Sequence, residues 1–125
     1  MIDVVAAQIC HGDRFLLCRR PLHKARGGQW EFPGGKVEAG ESFEKAIVRE
    51  LQEELNVTVT AAGERASVVY AYPELTVSLH LIEVYCQDKP ELLEHLDAKW
   101  VTLEEAASLD LCPADRLLIS QLERN

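Results

Sequence analysis

The stretch Gly34–Val57, "GGKVEAGESFEKAIVRELQEELNV", decides how the chain folds and where its chemistry lies. Two glycines lead into a helical pattern carrying Glu50, Glu53 and Glu54, with no lysine between them. Residues three and four apart are neighbours on a helix, so the three carboxylates share one face. Phe43, Ile47, Leu51 and Leu55 form an adjoining apolar stripe suited to packing on a sheet. The acids therefore stand at the margin of a buried face, where solvent screens them less. Like charges at this spacing cost about 0.2–0.5 kcal/mol even on an exposed helix. A solvated acidic surface and a cation site are both consistent with such a face. Oxygen-only ligation selects a hard ion, Mg2+ or Mn2+, and magnesium takes one or two carboxylates together with substrate phosphates. Gly34 and Gly35 let backbone approach a ligand closely, and the following helix N-terminus favours anions.

The local signals around the stretch agree with one another. Ser42 is an N-cap for a helix ending at Leu55, and Glu41 and Glu44 suit its positive end. Asn56 tolerates the left-handed conformation that stops helices. Upstream, "VVAAQI" and "RFLLCR" flank His11-Gly12-Asp13 and read as a hairpin. "PLHKARGGQ" is a polar loop, and "WEFPGGKVEAGE" is a short extended piece entering a Gly-rich loop. Downstream, "ERASVVYAYP" and "LTVSLHLIEVYC" are strands joined at Pro73-Glu74, and "AKWVTL" is a further short strand. A short helix follows Thr102, with Glu105 completing a capping box, and a last amphipathic helix begins near Pro113. Strands and helices are mixed, so the fold class is α/β (α+β), a mixed sheet with helices on its faces.

The totals bound the functions available. A chain of 125 residues with 47% apolar content makes one domain, residues 1–125. The net charge of −8 argues against a nucleic-acid polymer or an anionic membrane as partner. The start "MIDVVAAQIC" lacks the basic segment of a secretory signal, and no apolar run approaches a membrane span. Cys10, Cys18, Cys86 and Cys112 show no zinc or CxxC spacing and read as reduced thiols of a cytoplasmic protein, monomer or homodimer.

Gly35, five residues, Glu41, seven residues, then "RELQEELNV" resembles the Nudix box, Gly-x5-Glu-x7-Arg-Glu-U-x-Glu-Glu-x-Gly-U, where U is a bulky aliphatic. Arg49, Glu50, Leu51, Glu53, Glu54 and Val57 all fit, over 23 residues from Gly35. The one departure is Asn56 where the family has glycine. "CRRPLHKARGGQWEFPGGKVE", "YAYPELTVSLHL", Trp100 and "PAD" extend the likeness to the MutT-like branch. The resemblance implies a Nudix-type α/β/α sandwich with a loop-helix-loop catalytic motif. It implies Mg2+-dependent hydrolysis of a nucleoside triphosphate to monophosphate and pyrophosphate, with Mn2+ as a substitute ion.

By the same resemblance, Glu50, Glu53 and Glu54 hold the metal, with the Gly34 carbonyl as a further ligand. Glu50 contacts the attacking water, Glu53 supports catalysis, Arg49 orients the carboxylates, and Glu41 holds the loop. Arg20 and Lys36 are candidates for phosphate contacts, with Lys24 and Arg26 nearby; Glu31, Phe32 and Pro33 belong to the substrate-binding entry strand. Arg19 should face away from Arg20 if the strand alternates. Tyr72 and Leu79, with Tyr70, can line a base pocket or simply pack the sheet. Asp115 occupies the position of a base-reading residue; ionised, it only accepts hydrogen bonds and favours an exocyclic amino group. Lys99 stands where some relatives carry an acid, which leaves Glu94 or Asp97 as replacements. Three readings follow: an enzyme for 8-oxo-dGTP or related nucleotides in pool sanitation, an enzyme for CTP, dCTP or modified pyrimidines, and a non-catalytic nucleotide-sensing module.

Overall fold

The computed structural model describes residues 1–125. Strand β1, Ile2–His11, is the axis of the molecule. Its apolar run alternates between two faces: Val5, Ala7 and Ile9 enter one hydrophobic cluster, and Ala6 enters the other. Strand β2, Arg14–Arg19, repeats the pattern, with Leu16 and Cys18 on one side and Phe15 and Leu17 on the opposite side. Gly12 adopts φ +63 in the turn between them, a conformation that glycine reaches without steric cost.

Strand β3 is Trp30–Glu31, β4 is Gly34–Lys36, β5 is Val59–Ala71, β6 is Thr76–Cys86 and β7 is Asp97–Val101. The sheet runs β3-β2-β1-β6-β5, with β4 paired to β1 and β7 to β2. Strands β1 and β6 are parallel from Ile2↔Val77 to Ile9↔Val84, while β5 and β6 form an antiparallel hairpin. Helix α1, Phe43–Leu55, packs on one face through Ile47, Leu51 and Leu55, each fully buried. Truncating any one of them to alanine would cost about 2–5 kcal/mol. Helices α2, Leu103–Ala107, and α3, Pro113–Arg124, cover the second face, where Leu118, Ile119 and Leu122 meet Phe15, Leu17 and Leu81. The result is the three-layer α/β/α arrangement with a mixed sheet.

Capping matches the sequence reading. The Ser42 hydroxyl accepts from the Lys45 N–H, Asn56 closes α1 at φ 52, and Thr102 and Glu105 form a reciprocal capping box. Two expectations need correction. Strand β5 begins at Val59, five residues before the expected Glu64, because Gly63 lies in a bulge at φ +120 rather than ending the strand. Gly34–Lys36 is not free loop but strand β4, paired with Val4–Ala6 of β1. A side chain at Gly34 would collide with the Val5 carbonyl, so the close pairing depends on glycine there.

Candidate active site

A cleft of about 380 Å³ lies over the N-terminal half of β1, with Val4, Ala6, Val77 and Leu79 on its apolar floor. One end is acidic. Glu50, Glu53 and Glu54 reach it from α1, and Glu94 reaches it from the loop between β6 and β7. Gly34, Gly35 and Lys36 of β4 form the adjoining wall. A Cβ at Gly35 would stand 2.5 Å from the Glu50 carboxyl carbon, so the missing side chain is the space the carboxylate occupies. Glu54 is buried, and its Oε1 accepts the Gly34 N–H at 2.9 Å. Glu53 stays at the rim, its side chain 54% exposed against 13% for Glu50.

These carboxylates carry a charge that their surroundings do not balance. Burial, with Glu31 and Glu50 nearby, pushes the Glu54 carboxyl up to about 9, against a partial offset from the Gly34 N–H. Burial also raises Glu50, opposed by the hydrogen bond from Arg49. Arg49 does not line the cleft; it works from behind. Its Nε and Nη2 grip both oxygens of Glu41 at 2.8 and 2.9 Å, and its Nη1 donates to Glu50 at 2.9 Å. Nη2 also donates to the Lys36 carbonyl at 3.0 Å, so one guanidinium ties β4, the loop and α1 together. The Arg49 grip, with the Glu38 N–H, lowers the Glu41 carboxyl to about 2. The donor set at this end, four carboxylates with a glycine-lined approach, fits a hard divalent cation. Such an ion would offset the burial and the neighbouring carboxylates that hold Glu54 toward its neutral form.

The opposite end is built from distant segments. Trp30 donates to the Asp110 carbonyl at 2.8 Å and accepts from the Cys112 N–H at 2.9 Å. This bridge seats the start of α3 against β3 and brings Asp115 to Phe32, whose N–H donates to Asp115 Oδ2 at 3.0 Å. Glu31 takes Arg20 Nη1 on Oε1 at 2.9 Å and His95 Nε2 on Oε2 at 3.1 Å. Tyr72 stands beside them, its hydroxyl accepting the Ala114 N–H at 3.0 Å. Burial and the neighbouring Glu31 raise Asp115 well above an ordinary aspartate, outweighing the Phe32 N–H and Arg20. A carboxyl held toward its neutral form can donate through its O–H as well as accept. One ligand atom each from Glu31, Cys112 and Asp115 lie within 4.8 Å of one another. That trio mixes a thiol with carboxylates and already faces the Arg20 guanidinium, so it suits a hard cation less well than the helix carboxylates do.

Of the residues expected at the site, Arg20, Glu31, Phe32, Gly34, Lys36, Glu50, Glu53, Glu54, Tyr72, Leu79 and Asp115 line this one cleft. Pro33 does not; it is fully buried, and its carbonyl accepts the Ala7 N–H. Of the replacement acids, Glu94 is in the cleft, whereas Asp97 accepts from the Ala98 N–H on β7. Lys99 lies outside it, its Nζ 5.0 Å from the Trp30 ring centroid. Arg19 also lies outside it and donates to the Gly28 carbonyl. His95 and Cys112 had no signal in the sequence. Neither falls in a motif, and only the fold brings "EHL" and "LCP" to the same wall.

A NUDIX domain model matches residues 1–122. The chain belongs to the Nudix family. Its relatives include the CTP pyrophosphohydrolase of Escherichia coli, 39% identical over an aligned length of 121, with 92% of this chain and 86% of the relative covered. The 8-oxo-dGTP diphosphatase of Escherichia coli is 32% identical over 114 residues, 90% of this chain and 88% of that protein. The solution structure of the Escherichia coli ORF135 protein superposes with TM-score 0.89 at 38% identity, covering 99% of this chain and 89% of that one. The MutT protein of Methanosarcina mazei Go1 also gives TM-score 0.89, at 29% identity over 98% of this chain and 93% of that one. This Nudix chain is thus a hydrolase of the MutT-like kind. Nudix enzymes act on small nucleotides and generally use divalent metals. No helix of the chain is long and apolar enough to cross a membrane.

Proposed function

We propose that residues 1–125 form one Mg2+-dependent nucleoside triphosphate pyrophosphohydrolase domain, acting in the cytoplasm on 8-oxo-dGTP or related (d)NTPs and so sanitising the nucleotide pool that feeds DNA synthesis. The observation that carries this reading is one cleft with carboxylates at one end and a polar wall at the other. The reaction adds water across the α–β phosphoanhydride and yields a nucleoside monophosphate and pyrophosphate. When bound, a divalent cation (Mg2+, with Mn2+ as substitute) supplies Lewis-acid neutralisation of the phosphoryl oxygens. Glu50, Glu53 and Glu54 would hold it, with the Gly34 carbonyl and Glu94 as further oxygen donors. Glu50 is half-buried and raised, and it takes the proton of the attacking water. Arg49 keeps that carboxylate aimed, and Glu53 shares the load at the rim. Arg20 and Lys36 steer the phosphate chain.

At the base end, Asp115 and Glu31 set two carboxyl groups side by side, with Asp115 pushed toward its neutral form by burial and by Glu31. Together they offer a donor and acceptors to the edge of an oxidised purine. A second reading, CTP, dCTP or a modified pyrimidine as substrate, is favoured by the relative named CTP pyrophosphohydrolase, and the same donor–acceptor pair suits cytosine. A non-catalytic sensing role fits poorly with a complete set of carboxylates converging on one cleft. The test is pyrophosphate release across a panel of nucleotides with MgCl2. Glu54→Gln should lower kcat at least a hundredfold on every substrate, whereas Asp115→Asn should change the ratio of kcat/KM between 8-oxo-dGTP and CTP. Undiminished turnover in Glu54→Gln, or equal slowing of all substrates by Asp115→Asn, would remove the corresponding role.

A further inference from the structure

The loop Pro21–Gly28, which joins β2 to β3, reaches the β5–β6 turn although β1 and β6 lie between β2 and β5 in the sheet. Arg26 makes the reach. Its Nη1 pairs with Glu74 Oε2 at 2.9 Å, and its guanidinium carbon lies 3.7 Å from the Tyr72 ring centroid. Arg26 is one of only two non-glycine residues with positive φ, at +60, so the backbone accepts a strained conformation to place this side chain. The loop is braced around it: Arg20 Nε donates to the Ala25 carbonyl, and the Gln29 N–H donates to the Arg26 carbonyl. Tyr72 is braced too, by the Ala114 N–H on its hydroxyl and by Tyr70, whose ring centroid is 4.7 Å away.

The Tyr72 face covered by Arg26 is therefore closed to a nucleobase, because a 3.7 Å separation admits no third layer. What the cleft offers in its place is Arg26, whose side chain stays 22% exposed and lines the same cleft as Asp115. We propose that Arg26 is a base-binding residue, its outer face stacking on the nucleobase while Tyr72 backs it and Glu74 keeps its plane. This rests on the reading of the Asp115–Glu31 wall as the base end. A planar, delocalised cation stacks on aromatic rings in a way that an ammonium does not. Stacking tolerates every base, so Arg26 supplies affinity, most for electron-rich purines, while Asp115 and Glu31 select among edges.

The test uses reaction products, which do not turn over. Calorimetric titration in MgCl2 compares the parent, Arg26→Ala, Arg26→Lys and Glu74→Gln with 8-oxo-dGMP, CMP and inorganic pyrophosphate, after circular dichroism has checked folding. Both Arg26 variants should bind 8-oxo-dGMP about tenfold more weakly and CMP less so, with pyrophosphate affinity within about twofold of the parent. Glu74→Gln should give a smaller loss in the same order. Equal loss for nucleotide and pyrophosphate would make Arg26 a phosphate contact and overturn the proposal. Tighter nucleotide binding in Arg26→Ala would make it a cover that the base displaces, and unchanged binding would remove its role; either overturns the proposal. A parent that binds pyrophosphate but neither nucleotide would sink the base-end reading itself, and the inference with it.

Discussion

Glu31 accepts from Arg20 and His95 at once, and its charge is one cause of the rise in both Glu54 and Asp115. A single carboxylate thus stands between the two ends of the cleft. His95 is buried, its Nε2 meets Glu31 Oε2 at 3.1 Å, and its Nδ1 has no partner. An unpaired buried polar atom is a cost that a leucine at this position would avoid. His95→Leu should therefore leave the melting temperature within about 3 °C of the parent, the relieved polar atom offsetting the lost bond. It should still raise KM for the preferred nucleotide about tenfold, because Glu31 loses one of its two holds. His95→Gln, which keeps a donor, should recover most of that loss. Steady-state kinetics with thermal melts decide it; a large stability loss with unchanged KM would leave His95 a purely structural residue. The acids of α1 were legible in the sequence because one helix carries them at neighbouring positions. Glu94 and His95 reach the cleft through a contact no local pattern encodes, the Leu93 N–H on the Glu54 carbonyl at 3.1 Å.

Helix α1 was readable end to end because its cap, stripe and stop are all written in adjacent residues. Strand β4 was not, because a Gly-Gly pair reads as loop and its partner on β1 lies about thirty positions away. The single departure in the box, Asn56, shows how an element end can carry two duties. Its backbone sits in the left-handed region, its Oδ1 accepts from Gln52, and its Nδ2 donates to Glu91 of the loop that carries Glu94. Alanine would keep neither the side-chain bonds nor an easy left-handed backbone, so Asn56→Ala should cost about 1–2 kcal/mol in chemical denaturation. Asn56→Gly relieves the backbone and loses only exposed hydrogen bonds, so it should cost less than half as much. Equal losses in the two variants would show that the amide, not the backbone, matters here.

For the whole molecule, the balance of carboxylates sets how stability follows pH. In the unfolded chain Glu54 ionises near 4.5, but in the folded, metal-free protein it keeps its proton up to about 9. Between those values the folded state binds more protons, so raising the pH through this window destabilises the protein. Asp115 pushes in the same direction. Glu41, lowered to about 2, works the opposite way and withdraws its contribution as pH falls from 4.5 toward 2. In EDTA the melting temperature should therefore peak near pH 5 and fall by several degrees toward pH 9. MgCl2 should recover more of that loss at pH 8.5 than at pH 5.5, releasing protons as it binds. A flat profile that ignores magnesium would mean the acidic end is not a cation site. The two ends of the cleft also differ in how they are assembled. Glu50, Glu53, Glu54 and β4 come from one unbroken piece of chain, whereas Arg26 with Glu31, His95 and Asp115 come from three separate ones. Descendants of such a molecule can exchange one nucleotide diet for another by drift in loops and a helix start, while the hydrolytic apparatus is inherited as a block.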